Sequence, residues 1–189
     1  TGVQTCALPI YAAAVFPLQR MGFEVWPVHT VQFAAHTGYG PPKGRVFDAA
    51  IIDEVMEGLA ARPDFATCEA VLSGYLGSVE SAGAVLRAVD RVKRANPKAI
   101  YCCDPVMGDE GKGFYVKPDM PDFIREHIVP RADILTPNLF ELDALTGLRP
   151  RSHSEIKLAI QKIRAMGPRI VLVTSAITDE TPRGSFDMI

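Results

Sequence analysis

The chain has 189 residues, of which 48% are hydrophobic and 22% charged, and its formal net charge is −2. This composition is typical of a globular domain and excludes collagen-like, disordered and disulfide-rich proteins. The 20 basic and 22 acidic residues are spread evenly, so the sequence offers no electrostatic footprint for nucleic acid or for an anionic membrane. No apolar stretch reaches the length that spans a bilayer. We therefore expect small-molecule partners.

The two ends of the chain differ from the rest. The opening decapeptide TGVQTCALPI has neither strand alternation nor a helix signature, so we predict a non-native leader at residues 1–10 and a partial domain at residues 11–189. The closing residues SFDMI alternate as in a strand, with no terminal punctuation after them. This pattern indicates a fragment.

Segments of helical period alternate with short β-branched runs from residue 12 onward, which is typical of βαβ units and a mainly parallel sheet. The predicted helices are 12–21, 48–61, a helix from the Ser78 cap to residue 95, 121–128, 139–146, and a helix that begins at a Ser152–Glu155 capping box. The predicted strands are 24–28, 70–73, 99–103, 133–136 and 170–174. The long irregular stretches 32–46 and 105–118 are of the kind that carries function.

The four cysteines, Cys6, Cys68, Cys102 and Cys103, show no metal-ligand spacing. The adjacent pair lies in an apolar run, where thiols act as small buried hydrophobic groups. We expect a reducing, cytoplasmic location.

Polar or glycine-rich segments follow four of the predicted strands. They are TVQFAAHTGYG at 30–40, SGYLGS at 73–78, DPVMGDEGKG at 104–113 and TPNLFE at 136–141. In open parallel sheets, ligands bind at the carboxyl ends of the strands. We therefore expect the functional site to be built from these segments.

Two carboxylates stand out in these segments. Asp104 can cap its own loop, and Glu141, three residues after Asn138, can complement the dipole of a short helix. Together, however, two strand ends that each offer a carboxylate fit Mg²⁺, which takes one or two carboxylates and fills its other positions with water and phosphate oxygens. Gly108, Gly111 and Gly113 would leave backbone amides free for an anion. The joint pattern favours a metal nucleotide.

Other candidates carry weaker signals. Ser73, Gly74 and Tyr75 could let a flat ring approach the backbone, although a plain strand-to-helix turn capped by Ser78 is the better explanation of these residues taken alone. Residues 36–40, HTGYG, have the composition of a mobile flap with polar contacts. The remaining histidines belong to no recognisable pattern of functional residues, and we assign them no role: His29, His127 and His153.

These blocks resemble those of bacterial pyridoxal kinases of the ribokinase superfamily. The resemblance rests on the runs at 13–40, 72–78 (LSGYLGS), 102–113 (CCDPVMGDEGKG) and 136–142 (TPNLFEL), and it extends over residues 12–189. It implies a three-layer α/β ribokinase-like fold, incomplete in this chain, with a mainly parallel central sheet flanked by helices. It also implies a homodimer that transfers the γ-phosphoryl group of ATP to the 5′-hydroxyl of pyridoxal with Mg²⁺.

The resemblance also implies roles for single residues. Thr37 and Gly38 match substrate-contacting flap positions, and Tyr75 matches an aromatic residue beside the pyridine ring. The nucleotide side is matched by Asp104, Thr136, Glu141 and Thr174, with Asp104 and Glu141 also on the metal side. Some relatives carry lysine at the position of Thr174. The general-base aspartate of the family lies in a Gly-Ala-Gly-Asp type segment that we expect beyond residue 189, so we expect the chain by itself to be inactive.

Two alternatives stay open at this point. A hydroxymethylpyrimidine kinase shares the DPVMG block but does not predict the HTGYG flap. A non-catalytic module that binds pyridoxal or mediates dimerisation would need no general base within the chain.

Overall fold

The computed structural model describes residues 2–5, 10–34 and 43–189, with the backbone alone for residues 2–5 and 10–13. The chain forms two compact units, Thr1–Cys102 and Cys103–Ile189. It passes from the first unit to the second within strand β6, Ile100–Cys103. Among the residues described, no helix has both the length and the apolar character needed to cross a bilayer.

The first unit is built from parallel strands and intervening helices. In chain order its elements are β1 Gly2–Thr5, α1 Ile10–Arg20, β2 Val25–Val28, β3 Val31–Phe33, β4 Gly44–Val46, α2 Ala49–Ala60, a 3₁₀ turn Phe65–Thr67, β5 Ala70–Ser73, α3 Val79–Ala95 and the start of β6. Strand β1 lies between β2 and β5 and runs parallel to both. Strands β3 and β4 form an antiparallel pair.

Strand β1 corrects the expectation that residues 1–10 contain no regular structure. Gly2–Thr5 forms a strand, and α1 begins at Ile10 rather than at residue 12. The pairing partners decide the conformation, because hydrogen bonds to a strand on each side outweigh a weak local pattern. Whether the decapeptide is native stays an open prediction.

Helix α3 follows the sequence-based expectation closely. Ser78 accepts a hydrogen bond at its Oγ from the N–H of Ser81 at 3.2 Å, which caps the helix. Its apolar residues at helical spacing are buried: Ala82, Val85, Leu86, Val89 and Val92. Helix α2 buries a narrower face, Ile52 and Met56, and leaves Ile51 and Val55 exposed.

The second unit contains a hairpin, three α-helices, two helical turns and a short parallel pair of strands. In chain order its elements are β7 Gly108–Asp109, β8 Gly113–Phe114, α4 Met120–Phe123, a π turn Ile124–Ile128, a 3₁₀ turn Val129–Arg131, β9 Ile134–Leu135, α5 Leu139–Thr146, α6 His153–Met166 and β10 Ile170–Val171. Strands β7 and β8 are antiparallel, whereas β9 and β10 are parallel. The hairpin therefore occupies part of the stretch expected to be irregular.

Two elements of the second unit differ from expectation. The helix expected at 121–128 is α-helical only over Met120–Phe123 and continues as a π turn, in which the N–H of Val129 bonds back to the carbonyl of Ile124. Pro130 follows directly and has no N–H to continue an α-helical ladder. The strand expected at 170–174 is limited to Ile170–Val171, where Ile170 is 53% exposed, so the expected bounds are wrong.

Candidate functional site

Glu141 lies in the first turn of α5 and is only 3% exposed. Its N–H donates to Asn138 Oδ1 at 2.9 Å, and its Oε2 accepts the N–H of Asn138 at 2.9 Å, which makes a reciprocal capping box. Its Oε1 accepts the N–H of Met107 at 2.9 Å. The carboxylate therefore ties the start of α5 to the loop that follows β6.

Sequence reasoning placed the capping box at the wrong helix. Ser152 caps α6 by accepting the N–H of Glu155 at 3.3 Å, but the Glu155 carboxylate accepts the N–H of Arg151 instead of closing the box. The signal for the true box was present in the spacing of Asn138 and Glu141 just before an apolar run. The helix-start role considered for Glu141 is thus confirmed.

Asp104 follows β6 directly and is half-buried. Within the part of the chain that the structure describes, its carboxylate has neither a hydrogen bond nor an ion pair. Burial raises the pKa of Asp104 to about 6. The same residue type at an exposed position would be fully ionised at neutral pH, so this carboxylate is held in an unfavourable environment.

The two carboxyl groups interact with one another. Burial raises the pKa of Glu141 to about 8, and the negative charge of Asp104 adds to that effect. Backbone N–H groups of Asn138, Met107 and Gly108 lower the pKa but do not cancel the rise. A cation placed here would relieve both burial penalties.

Close packing is the main structural role of the glycine-rich loop after β6. A Cβ at Gly108 would lie 2.4 Å from Phe140 Cε1 and 2.5 Å from the carbonyl oxygen of Gly113, so no side chain fits there. Asn138 Nδ2 donates to the Gly108 carbonyl at 2.9 Å. The rings of Phe114 and Phe140 meet edge to face at 4.9 Å between centroids. These contacts fix the hairpin β7–β8 against α5.

The expectation of free backbone amides in this loop is only partly met. The N–H of Met107 is donated to Glu141, and the N–H groups of Glu110 and Lys112 are donated to Asp109. Gly111 and Gly113 adopt φ values of +76° and +74°, a backbone conformation that glycine accommodates at no steric cost. The glycines therefore shape the turn more than they expose amides.

Two threonines lie at neighbouring strand ends of the second unit. The N–H of Thr136 donates to the carbonyl of Cys103 at 3.0 Å, directly before Asp104. The N–H of Thr174 donates to the carbonyl of Pro137 at 2.9 Å, and Thr174 forms an isolated parallel bridge with Asn138. The backbone thus brings all four expected nucleotide-side residues to one set of strand ends. Their roles toward a nucleotide stay predictions.

In the first unit, Tyr75 is 8% exposed and lies in the turn after β5. Its carbonyl accepts a hydrogen bond from Thr30 Oγ1 at 3.0 Å, and its ring lies 6.1 Å from that of Phe33. Burial raises the pKa of the Tyr75 phenol, which therefore stays protonated at neutral pH. Ser73 Oγ lies 2.8 Å from the hydroxyl of Tyr101. Sequence reasoning did not anticipate this pair, since nothing local links residues 28 positions apart.

Thr37 and Gly38, expected to contact substrate, lie outside the described residues, as does Cys6. Of the other cysteines, Cys68 and Cys103 are buried and Cys102 is partly buried, as expected for small hydrophobic groups.

A magnesium site is compatible with the donors present. No cluster of three or more His, Cys, Asp or Glu side chains able to hold a metal occurs among the described residues. Mg²⁺ does not need such a cluster, because it is held by one or two carboxylates plus water and phosphate oxygens. The pair of Asp104 and Glu141, both with raised pKa, fits that requirement.

The chain resembles known kinases in sequence and in structure. The pyridoxal kinase PdxY of Deinococcus radiodurans is 50% identical over 94% of this chain, and that of Granulibacter bethesdensis is 51% identical over 94%. The chain spans 61% and 64% of the lengths of these two curated relatives. The solved structure of the pyridoxal kinase from Leishmania donovani in complex with ADP and pyridoxamine matches with a TM-score of 0.85 at 30% identity, over 96% of this chain and 65% of that chain.

These likenesses confirm two predictions made from the sequence. The resemblance to bacterial pyridoxal kinases is confirmed by the two bacterial relatives. The α/β fold with a parallel sheet flanked by helices is confirmed by the solved structure. In addition, residues 44–188 match the family described as phosphomethylpyrimidine kinase. Because this match covers more than half of the chain, the chain belongs to the phosphomethylpyrimidine kinase family.

Proposed function

We propose that the protein containing this chain transfers the γ-phosphoryl group of ATP to the 5′-hydroxyl of pyridoxal. The observation that carries the proposal is the pair of interacting carboxyl groups, Asp104 and Glu141, each with a raised pKa and neither in an ion pair within the described part of the chain. Phosphoryl transfer requires positive charge next to the phosphates and precise positioning more than covalent help from the protein. The names of the relatives supply the substrate.

Residues of the second unit would bind the metal ion and the nucleotide. Asp104 and Glu141 would face Mg²⁺, and Thr136 and Thr174 would contact the nucleotide. Bound Mg²⁺ would neutralise charge on the phosphate oxygens. Glu141 is already fixed by backbone N–H groups from two segments, so its carboxylate is preorganised before any ligand arrives.

In the first unit, Tyr75 would lie against the pyridine ring, and Thr37 and Gly38 would contact the substrate. Phe33 beside Tyr75 supplies a second ring, and Thr30 fixes the Tyr75 backbone. Buried ring faces and hydroxyl groups suit a flat, weakly polar heterocycle. The general base is left unassigned within residues 1–189. A homodimer and a cytoplasmic location are parts of the same proposal.

A hydroxymethylpyrimidine kinase is the second candidate function. The match of residues 44–188 to the phosphomethylpyrimidine kinase family favours it, since that family is described by the pyrimidine substrate. Both substrates are flat rings that bear a hydroxymethyl group, so the two kinases would use Asp104 and Glu141 in the same way. The flap at 36–40 would carry the difference.

The test is a substrate comparison on the protein encoded by the uninterrupted reading frame that contains this chain. ATP-dependent phosphorylation is measured with pyridoxal and with hydroxymethylpyrimidine. We expect kcat/KM to be at least about tenfold higher for pyridoxal, since contacts made only with the correct ring contribute to discrimination. A preference for hydroxymethylpyrimidine would replace the proposal by the second candidate. Binding of pyridoxal without phosphorylation would indicate a non-catalytic module.

Asp104→Asn and Asp109→Asn form a matched pair for the same assay. Both remove a carboxylate from the loop after β6, but Asp109 is paired with Lys112 at 3.6 Å. We expect Asp104→Asn to lower kcat on the order of a hundredfold, as loss of one electrostatic contact to the reacting group does. Asp109→Asn should stay close to the parent. Equal activity of the two variants would remove Asp104 from the mechanism.

A further inference from the structure

Residues 172–189, called the arm, leave β10 and fold back on themselves. Val173 and Ile189 exchange two backbone hydrogen bonds, at 2.7 and 3.0 Å. Ala176 and Asp187 exchange another two, at 3.0 and 2.8 Å. The arm is therefore an irregular antiparallel ladder rather than an extension of the parallel pair.

A bulge in the arm determines where Thr174 lies. Between the two bonded pairs, Thr174 and Ser175 on one side oppose only Met188 on the other, which is the pattern of a β-bulge. Ser175 has φ of +51°, a left-handed conformation that is uncommon outside glycine. The bulge places Thr174 in its backbone bridge with Asn138, the residue that caps α5.

The arm is fastened to α6 by three side chains, which we call the clasp: His153, Glu180 and Asp187. His153 Nε2 lies 2.9 Å from Asp187 Oδ2, and His153 Nδ1 lies 3.3 Å from Glu180 Oε2. The backbone N–H of His153, the first residue of α6, donates to Glu180 Oε1 at 2.9 Å. Both ring nitrogens thus face a carboxylate that belongs to the arm.

The clasp is fully satisfied in only one charge state of the imidazole. A neutral imidazole has one N–H donor and one acceptor nitrogen, whereas the imidazolium has two donors. In the neutral form, one ring nitrogen would present a lone pair to a carboxylate oxygen. Asp187 stays ionised, because hydrogen bonds from Thr181 and His153 lower its pKa. The two carboxylate oxygens at hydrogen-bond distance from the ring are therefore geometrically complementary to an imidazolium with two N–H donors.

Other charged groups of the segments that meet here do not compete for the ring. Glu155 is engaged by the N–H of Arg151, and the N–H of Asp179 bonds to the Arg151 carbonyl. The amino end of α6 disfavours a cation, but only as a partial charge, whereas the clasp sets two full negative charges against the ring.

We propose that the clasp is a pH-responsive latch, in which protonated His153 holds the arm on α6 and loss of that proton loosens the arm. Since the arm carries Thr174 into its bridge with Asn138, loosening it also loosens the support of the α5 start. The latch depends on contacts within one unit and stands whether or not the protein phosphorylates pyridoxal. His153 is thereby a positioning residue that acts through Asp187.

Amide hydrogen exchange of the intact chain tests the latch. Protection factors, which remove the intrinsic pH dependence of exchange, are measured for the amides of Ala176 and Asp187 at about pH 5.5 and about pH 7.5, on either side of the usual imidazole titration. We expect protection to be about threefold higher at the lower pH, the size expected for partly exposed ion pairs. Amides in the middle of α6 serve as an internal reference. Equal protection at the two pH values in the parent chain would overturn the proposal.

Two histidine variants assign the effect. His153→Gln keeps an amide donor toward Asp187 but cannot become charged. The ratio of its protection factors at the lower and the higher pH should therefore fall to one. His127→Gln removes an imidazole that packs on the Phe123 ring and should keep the parent ratio. A parent-like ratio in His153→Gln would overturn the latch. If that variant fails to fold, Glu180→Gln replaces it, and there an unchanged ratio would contradict the proposal while a reduced ratio would support it.

Discussion

The turn after β5 and the loop after β6 both follow a strand of a parallel sheet, but they bury different chemistry. After β6, burial raises the pKa of both Asp104 and Glu141, and the negative charge of Asp104 adds to the rise at Glu141. After β5, the buried groups are the hydroxyl of Ser73, which meets Tyr101, and the carbonyl of Tyr75, which accepts from Thr30. The loop after β6 holds carboxyl groups without a cation, which a ligand can supply. The turn after β5 holds neutral groups that are already hydrogen-bonded to one another. The region after β6 should therefore respond to pH and to cations, whereas the region after β5 should not.

The largest effect is expected from a side chain added to the loop after β6. Gly108→Ala should lower the free energy of unfolding by about 3 kcal/mol, because the new Cβ would overlap Phe140 and the Gly113 carbonyl. Gly111→Ala is the control, since nothing lies within 4 Å of its Cβ and only the strain of its positive φ, about 1 kcal/mol, remains. Urea unfolding measures both. Equal losses would show that the loop is not packed as described.

The next effect separates the two regions by pH. In the folded chain Glu141 keeps its proton up to about pH 8, whereas its ordinary pKa is 4.5. Because the unfolded chain releases this proton more readily, the free energy of unfolding falls as the pH rises from the ordinary pKa to the raised one. The parent chain should lose about 2 kcal/mol between about pH 5 and pH 8 in urea unfolding. Glu141→Gln should flatten that slope. Asp143→Asn, on the same helix, should retain it, and a retained slope in Glu141→Gln would contradict the account.

A smaller effect is expected from magnesium. At pH 8, Mg²⁺ at about ten times its dissociation constant should raise the stability of the parent chain by about 1.4 kcal/mol. The gain should disappear in Asp104→Asn and persist in Asp109→Asn, whose carboxylate lies in the same loop. Thermal unfolding with and without Mg²⁺ reports it. An undiminished gain in Asp104→Asn would place the cation elsewhere.

The smallest effect belongs to the neutral region. Thr30→Val removes the hydrogen bond to the Tyr75 carbonyl at nearly constant shape and should cost about 1 kcal/mol. Because no ionisable group takes part in this bond, the loss should be the same at pH 5 and pH 8. Thr67→Val removes a hydrogen bond from an exposed threonine and is the control, with a smaller expected loss. A loss that changes with pH would contradict the claim that the region after β5 is insensitive to pH.

Local periodicity predicted the elements that depend on their own sequence. The Ser78 cap and the extent of α3 are confirmed, as is the end of α5 after residue 146, where Gly147 has φ of +68°. Strand β1 and the π turn were not predictable in this way. Strand β1 takes its conformation from the strands on either side of it. The π turn depends on where Pro130 interrupts the α-helical hydrogen bonds.

The candidate site was predictable in composition but not in energetics. The rule that ligands bind at the ends of parallel strands brought Asp104 and Glu141 together from the sequence alone. Their raised pKa values depend on burial by segments far away in the chain, which no local pattern encodes. The capping role of Glu141 was weighed against a metal role, and the structure shows that capping leaves the carboxylate fixed beside the charge of Asp104.

The most direct test of the account is the NMR titration of the Glu141 carboxyl carbon in the parent chain and in Asp104→Asn. The account predicts that Glu141 titrates near pH 8 in the parent and at a somewhat lower pH in Asp104→Asn, where burial still holds its pKa above the ordinary value. Titration near the ordinary value of 4.5, or a midpoint that does not move in Asp104→Asn, would show that the two carboxyl groups do not share one site.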